Sequence, residues 1–197
     1  MQNDKRNEKG QTLAEFLAEY DLKKYDRPSV TLDNVIFARD EEGLSVLLIR
    51  RRNHPFIGDL AFPGGFLEMD EDLPEGAARE LFEETGVTGI EPVELGVYGR
   101  PGRDPRGRII TVAFVSRLPE GACPKAGDDA KDAGMWRVTV LPEEKKILLR
   151  RGDTGETACV PYEFVNGKAA FIPAEGIAGD HGQILADALR AAGLING

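Results

Sequence analysis

An acidic stretch near the middle of the chain holds the residues best suited to chemistry. Between Glu68 and Glu84 there are eight carboxylates and one basic residue, Arg79. The carboxylates belong to Glu68, Asp70, Glu71, Asp72, Glu75, Glu80, Glu83 and Glu84. On a helix, carboxylates three and four residues apart repel one another, and hard divalent cations with oxygen ligands relieve that repulsion. The stretch therefore predicts either a solvated acidic face or a site for one or more divalent cations.

The sequence around these carboxylates predicts a helix from about Leu73 to Thr85. Asp72 and Glu75 have the spacing of a capping box, in which two side chains satisfy free N–H groups of the first turn. Gly86 follows the last turn, where glycine commonly ends a helix. The acidic residues are thus expected on a rigid helical surface.

The helical period divides this segment into two faces. Glu80, Glu83 and Glu84 fall within an arc of about 100°. The residues expected to face the core are Ala78, Leu81, Phe82 and Thr85. Gly76 is expected on the acidic arc, where glycine costs about 1 kcal/mol relative to alanine. We expect that a side chain at Gly76 would obstruct a complex of metal and substrate.

The same stretch resembles the Nudix box at every fixed position. The match reads Gly65-x5-Glu71-x7-Arg79-Glu80-Leu81-x-Glu83-Glu84-x-Gly86-Val87 and spans 23 residues. The segments LLIRRR (47–52) and AFPGGF (61–66) before the box also resemble the family. The resemblance covers most of the chain, more loosely outside the box.

The resemblance implies an α/β (α+β) Nudix fold, in which a mixed β-sheet is sandwiched between helices. It also implies hydrolysis of a nucleoside diphosphate linked to another moiety, with Mg²⁺, or alternatively Mn²⁺, as cofactor. The catalytic residues would be Glu71, Arg79, Glu80, Glu83 and Glu84, and the metal ligands would be Gly65, Glu80, Glu83 and Glu84. The metals would neutralise the diphosphate and hold a water in line with phosphorus.

The resemblance leaves the general base open between a box glutamate and an acid in a downstream loop. Asp128 and Asp129 are the candidates in that loop, and Asp132 is a third. For each of them a solvated acidic loop is the alternative interpretation.

An arginine-rich loop, RPGRDPRGR (100–108), indicates where a phosphate could bind in an otherwise acidic protein. Arginine forks suit phosphate oxygens, although the loop could equally be a solvated hairpin connection. The predicted substrate-binding residues are Arg50, Phe56, Arg100, Arg103, Arg106 and Arg108, with Phe56 placed to stack on an adenine. The string RDPRGR (103–108) resembles bacterial ADP-ribose pyrophosphatases, and Pro101 resembles the marker proline of that group. The leading substrate is therefore ADP-ribose, with AMP and ribose 5-phosphate as products.

Other functions stay open at this point. The box does not choose among ADP-ribose, coenzyme A, an oxidised nucleotide and a dinucleotide. The segments KYDRPSVTLDNVIF (24–37) and DHGQIL (180–185) resemble ADP-ribose pyrophosphatases and also their relatives that act as transcription regulators. A non-catalytic sensor of ADP-ribose or such a regulator is the rival from another class. It is disfavoured because the box is intact and because no basic recognition helix follows Leu141.

Strands and helices must position these residues. Along the sequence these elements do not follow the regular β-α-β order of a parallel sheet. We predict a tail and short helix in residues 1–27 and a single Nudix domain in residues 28–197, with the box at 65–87. Val30–Ala38 and Leu44–Arg50 are expected to pair as a hairpin. An additional C-terminal β-hairpin region is predicted at about 146–173, with Asn166–Gly167 as a hairpin turn because both residues accept positive φ.

Composition and net charge restrict the classes of partner that the chain is expected to bind. The 197 residues carry a formal net charge of −9, which disfavours binding to a nucleic-acid backbone or an anionic membrane surface. No apolar run reaches membrane length and the N-terminus is polar, so we expect a cytoplasmic protein with Cys123 and Cys159 reduced. The expected partner is a small nucleoside diphosphate derivative. The resemblance further implies a homodimer, because many relatives are homodimers.

Overall fold

A mixed β-sheet forms the centre of the computed structural model, which describes residues 5–127 and 130–196. Its strands are β1 (Ser29–Asp40), β2 (Gly43–Arg51), β3 (Leu60–Ala61), β4 (Gly64–Phe66), β5 (Val93–Tyr98), β6 (Ile109–Arg117), β7 (Ala130–Leu141), β8 (Lys146–Arg151) and β9 (Thr157–Pro161). Strands β10 (Phe164–Val165) and β11 (Lys168–Ala169) form a separate hairpin. The helices are α1 (Leu13–Glu19), α2 (Leu73–Thr85) and α3 (His181–Ala191), with 3₁₀ turns at Leu22–Lys24 and Pro142–Glu144.

The strand order is β5-β6-β1-β2-β7-β8-β9, with β3 paired to β2 and β4 paired to β1. Strands β1 and β6 are parallel, and the other pairs are antiparallel. One edge of β1 is shared: Phe37–Asp40 pairs with β2, whereas Thr31–Asp33 pairs with β4. Strands β2 and β4 therefore pair with different parts of the same edge of β1. The turn before β4 lies where these two strands separate.

Helices cover both faces of the sheet, which confirms the predicted arrangement. On one face Ile184 and Leu189 of α3 pack in a cluster with Trp136 of β7. On the other face Leu81 of α2 packs in a cluster with Leu47 of β2. Neighbouring residues of a strand point to opposite faces, so both faces of β2 are apolar, as a strand between two helices requires.

Helix α2 has the predicted bounds but a different buried face. Glu84 is only 9% exposed, whereas Phe82, expected in the core, is 54% exposed. The helix packs against β1 and β4, and the buried line runs through Ala77, Leu81 and Glu84, which follow helical spacing. The expectation for Phe82 was therefore wrong, because the face of α2 that packs on the sheet passes through Leu81 and Glu84 and leaves Phe82 in solvent.

Gly76 is also placed differently from the expectation. It is buried, and a Cβ at this position would lie 2.5 Å from Oε1 of Glu71 and 2.6 Å from Cδ1 of Leu32. The glycine thus permits close approach of α2 to β1 and to the Glu71 side chain. It does not border the space in front of the acidic residues.

The C-terminal β region begins as a continuation of the main sheet. Strands β8 and β9 extend it beyond β7, and only β10 and β11 form the separate hairpin, around Asn166 and Gly167. Both turn residues have positive φ, 52° and 75°, as the sequence predicts. None of the helices in the described residues has the length and apolar character needed to cross a membrane.

Candidate active site

A cavity of about 540 Å³ opens where β2 and β4 separate. One wall is the acidic side of α2 together with the Gly64–Gly65 turn. The opposite wall combines the loop between β5 and β6 with the start of α3. The loop after β2, which includes Phe56, forms the third side. The fold thus brings the predicted box residues and part of the predicted substrate loop to one cavity.

Arg79 organises the carboxylates of the box. Its Nε and Nη2 donate to the two carboxylate oxygens of Glu71, at 2.9 and 2.6 Å. Its Nη1 donates to Glu80 at 2.8 Å and to Glu83 at 3.3 Å. These hydrogen bonds, aided by one from the backbone N–H of Glu68, lower the pKa of Glu71 to about 2. Arg79 therefore holds the carboxylates of Glu71, Glu80 and Glu83 close to its own guanidinium.

Two of the predicted metal ligands are withdrawn from solvent. The carboxylate of Glu80 lies directly against Gly65, where it occupies the space that a Cβ would need. Oε2 of Glu84 accepts a hydrogen bond from the backbone N–H of Gly64 at 2.8 Å. Burial raises the pKa of Glu80, and it raises the pKa of Glu84 to about 8. Both carboxylates therefore lie in surroundings that a cation would make more favourable.

The third predicted ligand, Glu83, is at the rim. Its side chain is 55% exposed and its only ion pair among the described residues is the one with Arg79. Glu83 can therefore turn toward a ligand in the cavity without breaking a packed contact.

The carboxylates are of the chemical type that binds a divalent cation, although they do not surround a common point. Across residues 5–127 and 130–196, no three acidic, histidine or cysteine side chains surround one point in a way that could hold a metal ion. The reason is visible at Arg79, whose nitrogen atoms draw Glu71, Glu80 and Glu83 toward themselves. Hard carboxylate oxygens on one side of a helix, two of them poorly solvated, are a donor set suited to Mg²⁺ or Mn²⁺.

The opposite wall contains a buried ion pair. Arg103 is 8% exposed, and its Nε and Nη2 donate to Oδ2 and Oδ1 of Asp180 at 2.8 and 2.7 Å. Its Nη2 lies 4.0 Å from Oδ2 of Asp33, which also accepts a hydrogen bond of 2.6 Å from the Thr111 hydroxyl. Arg103 is therefore held by Asp180, the residue just before α3, and lies near Asp33 of β1, and it still lines the cavity.

Aromatic and basic side chains complete the cavity. Arg106 pairs with Asp104 at 2.7 Å and lies over the ring of Phe66, 5.1 Å from its centroid. Phe56 adds a second ring at the loop after β2. Arg51 also lines the cavity, with its Nε donating to the Pro55 carbonyl at 2.8 Å.

Three of the predicted substrate residues are not brought to this cavity. Arg50 donates to the Gly58 carbonyl at 2.6 Å and to Glu156 at 2.5 Å. Arg108 donates to the Gly99 carbonyl at 2.7 Å, and Arg100 stacks on Phe171 at 3.9 Å. The four arginines of the 100–108 loop therefore separate, and only Arg103 and Arg106 line the cavity.

Of the three predicted general bases, only Asp132 lies within the described residues. Asp128 and Asp129 lie outside the described residues. Asp132 forms a two-pronged ion pair with Arg151 and does not line the cavity.

Sequence reasoning missed Arg51, Asp33, Asp180 and His181 as cavity residues. Arg51 could have been found by strand parity, because Ile49 and Arg51 share one face of β2 whereas Arg50 points to the other. His181 is the first residue of α3, and its ring packs against Phe62 of the turn before β4, with the ring centroids 5.3 Å apart. For Asp33 and Asp180 the sequence carries no comparable signal, since each acts through a partner distant in the chain.

Comparison with known proteins agrees with this geometry. The family model of the NUDIX domain matches residues 29–157. An ADP-ribose pyrophosphatase from Methanocaldococcus jannaschii is 44% identical over 126 residues, which are 62% of this chain and 72% of that protein. The ADPR-responsive transcriptional repressor NtrR from Acinetobacter baylyi is 41% identical over 105 residues, which are 52% of this chain and only 42% of the repressor.

A solved structure gives the same result for the fold. The MutT/nudix family protein from Enterococcus faecalis superposes with a TM-score of 0.76 at 32% identity, and the match covers 92% of this chain and 70% of that protein. The family match covers well over half of the chain and includes the whole box. The chain therefore belongs to the Nudix family of pyrophosphohydrolases.

Proposed function

We propose that this chain hydrolyses the diphosphate bond of ADP-ribose and releases AMP and ribose 5-phosphate. The observation that carries the proposal is the composition of the cavity. Its box side is acidic, whereas its far side presents Arg103 and Arg106, and Arg106 lies over the ring of Phe66. A diphosphate between two ribose groups has the matching pattern, with anionic oxygens in the middle and a flat base at one end. The volume of the cavity, about 540 Å³, lies within the usual range for small-molecule sites.

Arg103 is the residue best placed to hold a phosphate oxygen. Two of its guanidinium nitrogens, Nε and Nη2, donate to Asp180, whereas no hydrogen bond from Nη1 is found among the described residues. The ion pair fixes the plane of the guanidinium, so Nη1 is oriented before the substrate arrives. Such preorganised donors stabilise developing negative charge at little cost in reorganisation.

The box residues would hold the metal. Glu80, Glu83 and Glu84, with the Gly65 carbonyl, are the proposed ligands, and the bound cation supplies neutralisation of the diphosphate and a water of lowered pKa. Arg79 and Glu71 keep the carboxylates on one side of α2 in its absence. A box carboxylate or a downstream acid accepts the proton of the attacking water, and the substrate's P–O bond breaks to leave two phosphate monoesters.

A panel of substrates tests the proposal. Hydrolysis with Mg²⁺ is compared for ADP-ribose, NADH, ADP-glucose, coenzyme A, diadenosine polyphosphates and nucleoside triphosphates by kcat/KM. We expect the highest value for ADP-ribose in the native chain and loss of turnover in Glu83→Gln. A higher value for another compound would overturn the substrate while leaving the hydrolase.

One rival function has a specific observation in its favour. The similarity to the Acinetobacter repressor favours a chain that binds ADP-ribose without cleaving it. Tight binding of ADP-ribose with no turnover of any compound on the panel would establish that rival. The intact set of Glu80, Glu83 and Glu84 favours catalysis, because a sensor does not need all three.

A further inference from the structure

A second cavity, of about 240 Å³, lies between β5, β11 and α3. We call it the α3 cavity; it is lined by Leu95, Gly96, Val97, Tyr98, Gly99, Arg100, Lys168, Asp180, Gln183, Asp187, Arg190 and Ala191. It shares only Asp180 with the lining of the catalytic cavity. The proposed hydrolysis uses none of its other residues, including Arg100 of the arginine-rich loop.

Three cationic side chains surround the α3 cavity. They are those of Arg100, Lys168 and Arg190, and none of the three forms an ion pair with a carboxylate in the part of the chain that the structure describes. By contrast, Arg79, Arg103, Arg106, Arg137 and Arg151 each have an acidic partner. The three cations therefore leave a local excess of positive charge.

The two arginines are held in place by aromatic rings. The guanidinium of Arg100 lies 3.9 Å from the centroid of Phe171, and that of Arg190 lies 5.6 Å from the centroid of Phe164. Contact of a guanidinium with a ring face uses none of its N–H groups, so those of Arg100 and Arg190 can still donate to an acceptor.

The acidic groups of the α3 cavity already have donors. Asp187 accepts hydrogen bonds from the Tyr98 hydroxyl at 3.0 Å and from the backbone N–H of Ala169 at 2.8 Å. Asp180 is paired with Arg103. With Asp180 neutralised by Arg103, three cations face one remaining carboxylate.

We propose that the α3 cavity is a second binding site, which takes a small molecule bearing an oxyanion group, either phosphate or carboxylate. The guanidinium edges of Arg100 and Arg190 and the ammonium of Lys168 supply the donors. Charge-assisted hydrogen bonds from arginine suit both kinds of oxyanion. The proposal does not depend on which substrate the catalytic cavity takes.

The site is tested by binding without turnover. Isothermal titration is carried out with the full chain after divalent cations have been removed on a chelating resin, because the unneutralised carboxylates of the catalytic cavity then disfavour an anion. The probes are inorganic phosphate, ribose 5-phosphate and citrate. We expect saturable binding of at least one probe, and the preferred probe distinguishes a phosphate site from a carboxylate site. Absence of saturable binding for all three would overturn the proposal.

Variants then locate the binding. The double variant Arg100→Gln with Arg190→Gln should weaken it at least about tenfold, because two charge-assisted hydrogen bonds are removed. Arg150→Gln is the matched control, since Arg150 is an exposed arginine that lines neither cavity. Equal weakening in the control, or no weakening in the double variant, would overturn the site.

Amide chemical shifts separate the two cavities independently. The probe should shift the resonances of Gly96, Lys168 and Gln183, which line the α3 cavity. Shifts confined to Gly64 and Arg106 would place the anion in the catalytic cavity and contradict the proposal. Melting temperatures of the variants show whether each remains folded.

Discussion

Nδ1 of His181 accepts a hydrogen bond of 3.0 Å from the backbone N–H of Phe62, a residue 119 positions earlier in the chain. The first residue of α3 is thereby joined to the turn that carries Gly64 and Gly65. The segment just before α3 reinforces this link, because Leu60 donates to the Gly176 carbonyl at 2.8 Å and accepts from Ala178 at 2.9 Å. The position of the box turn therefore depends on the C-terminal part of the chain as well as on α2.

The hydrogen bond of His181 predicts a difference between two substitutions. His181→Ala leaves the N–H of Phe62 without its acceptor and should destabilise the protein by about 1–3 kcal/mol. His181→Asn should cost less, because the Asn Oδ1 can take the position of Nδ1. Urea unfolding measures both. Equal losses for the two variants would contradict the role of the acceptor.

The same residue predicts a dependence of stability on pH. Burial lowers the pKa of His181 below its ordinary value of 6.5, against the opposing effect of Asp33 and Asp180. The unfolded chain takes up a proton as the pH falls through about 6.5, while the folded protein keeps the ring neutral. His181 should therefore lower stability from pH 6.5 toward pH 5, whereas Glu84, whose pKa is raised to about 8, acts in the opposite sense. Over this range stability should fall less, or rise more, in His181→Asn than in the native chain, and His54→Asn, which alters the exposed histidine, should follow the native chain.

Glu83→Gln should abolish most of the turnover without affecting the fold. The side chain is half-exposed, and in the described part of the chain its one ion pair is with Arg79, so stability should change by less than about 0.5 kcal/mol. Since even indirect supports of a metal site contribute about 10–100-fold, removal of a direct ligand should lower kcat at least about 100-fold. Glu143→Gln, at an exposed glutamate in the 3₁₀ turn, is the control. Full activity in Glu83→Gln would refute its assignment as a ligand.

Arg103 and Arg106 should respond differently to replacement by alanine. Arg103→Ala leaves Asp180 buried without its partner and should destabilise the fold by about 3–5 kcal/mol. Arg106 is at the surface of the cavity and pairs with Asp104 through an exposed side chain. Arg106→Ala should therefore raise KM for the substrate with little change in melting temperature. A stable Arg103→Ala protein would show that the ion pair contributes little.

Gly76→Ala should destabilise the protein even though alanine favours helices. The added Cβ would crowd the buried side chain of Leu32 and the carboxylate of Glu71. Overpacking of this kind costs about 1–3 kcal/mol, which exceeds the gain of about 1 kcal/mol in helix propensity. Gly152→Ala is the control, because a Cβ there meets nothing within 4 Å. A more stable Gly76→Ala would mean that α2 can shift away from β1.

Divalent cations should raise the melting temperature by mass action, since only the folded chain assembles the box. The shift on adding Mg²⁺ should be larger in the native protein than in Glu83→Gln. Equal shifts in both would indicate binding elsewhere on this acidic surface. Calorimetry at several concentrations of Mg²⁺ measures the difference.

The sequence was sufficient for features that depend on local pattern. The bounds of α2, its capping box and the Asn166–Gly167 turn were all predicted, because each depends on residues a few positions apart. The mixed sheet was also predicted, since strands and helices alternate without a βαβ rhythm. The burial of Glu84 was not, because it depends on where β4 passes beneath the helix.

The division of the arginine-rich loop could not be predicted for a related reason. Arg103 is drawn inward by Asp180, which is 77 positions away, and Arg100 is held by Phe171. Periodicity does not reveal such pairs. Arg51, at the end of β2, could have been predicted. Side chains alternate along a strand, and this alone separates Arg51 from Arg50, whose side chain turns toward Glu156.

The Arg103–Asp180 ion pair has a consequence for how relatives of this chain can diversify. The box is carried by α2 and its supporting strands, whereas the far wall of the cavity is built by the 100–108 loop and the start of α3. These two segments are joined by one buried salt bridge, so a change in either residue requires a compensating change in the other. Preference for a substrate would then evolve through paired replacements in both segments, while the hydrolytic apparatus is inherited unaltered.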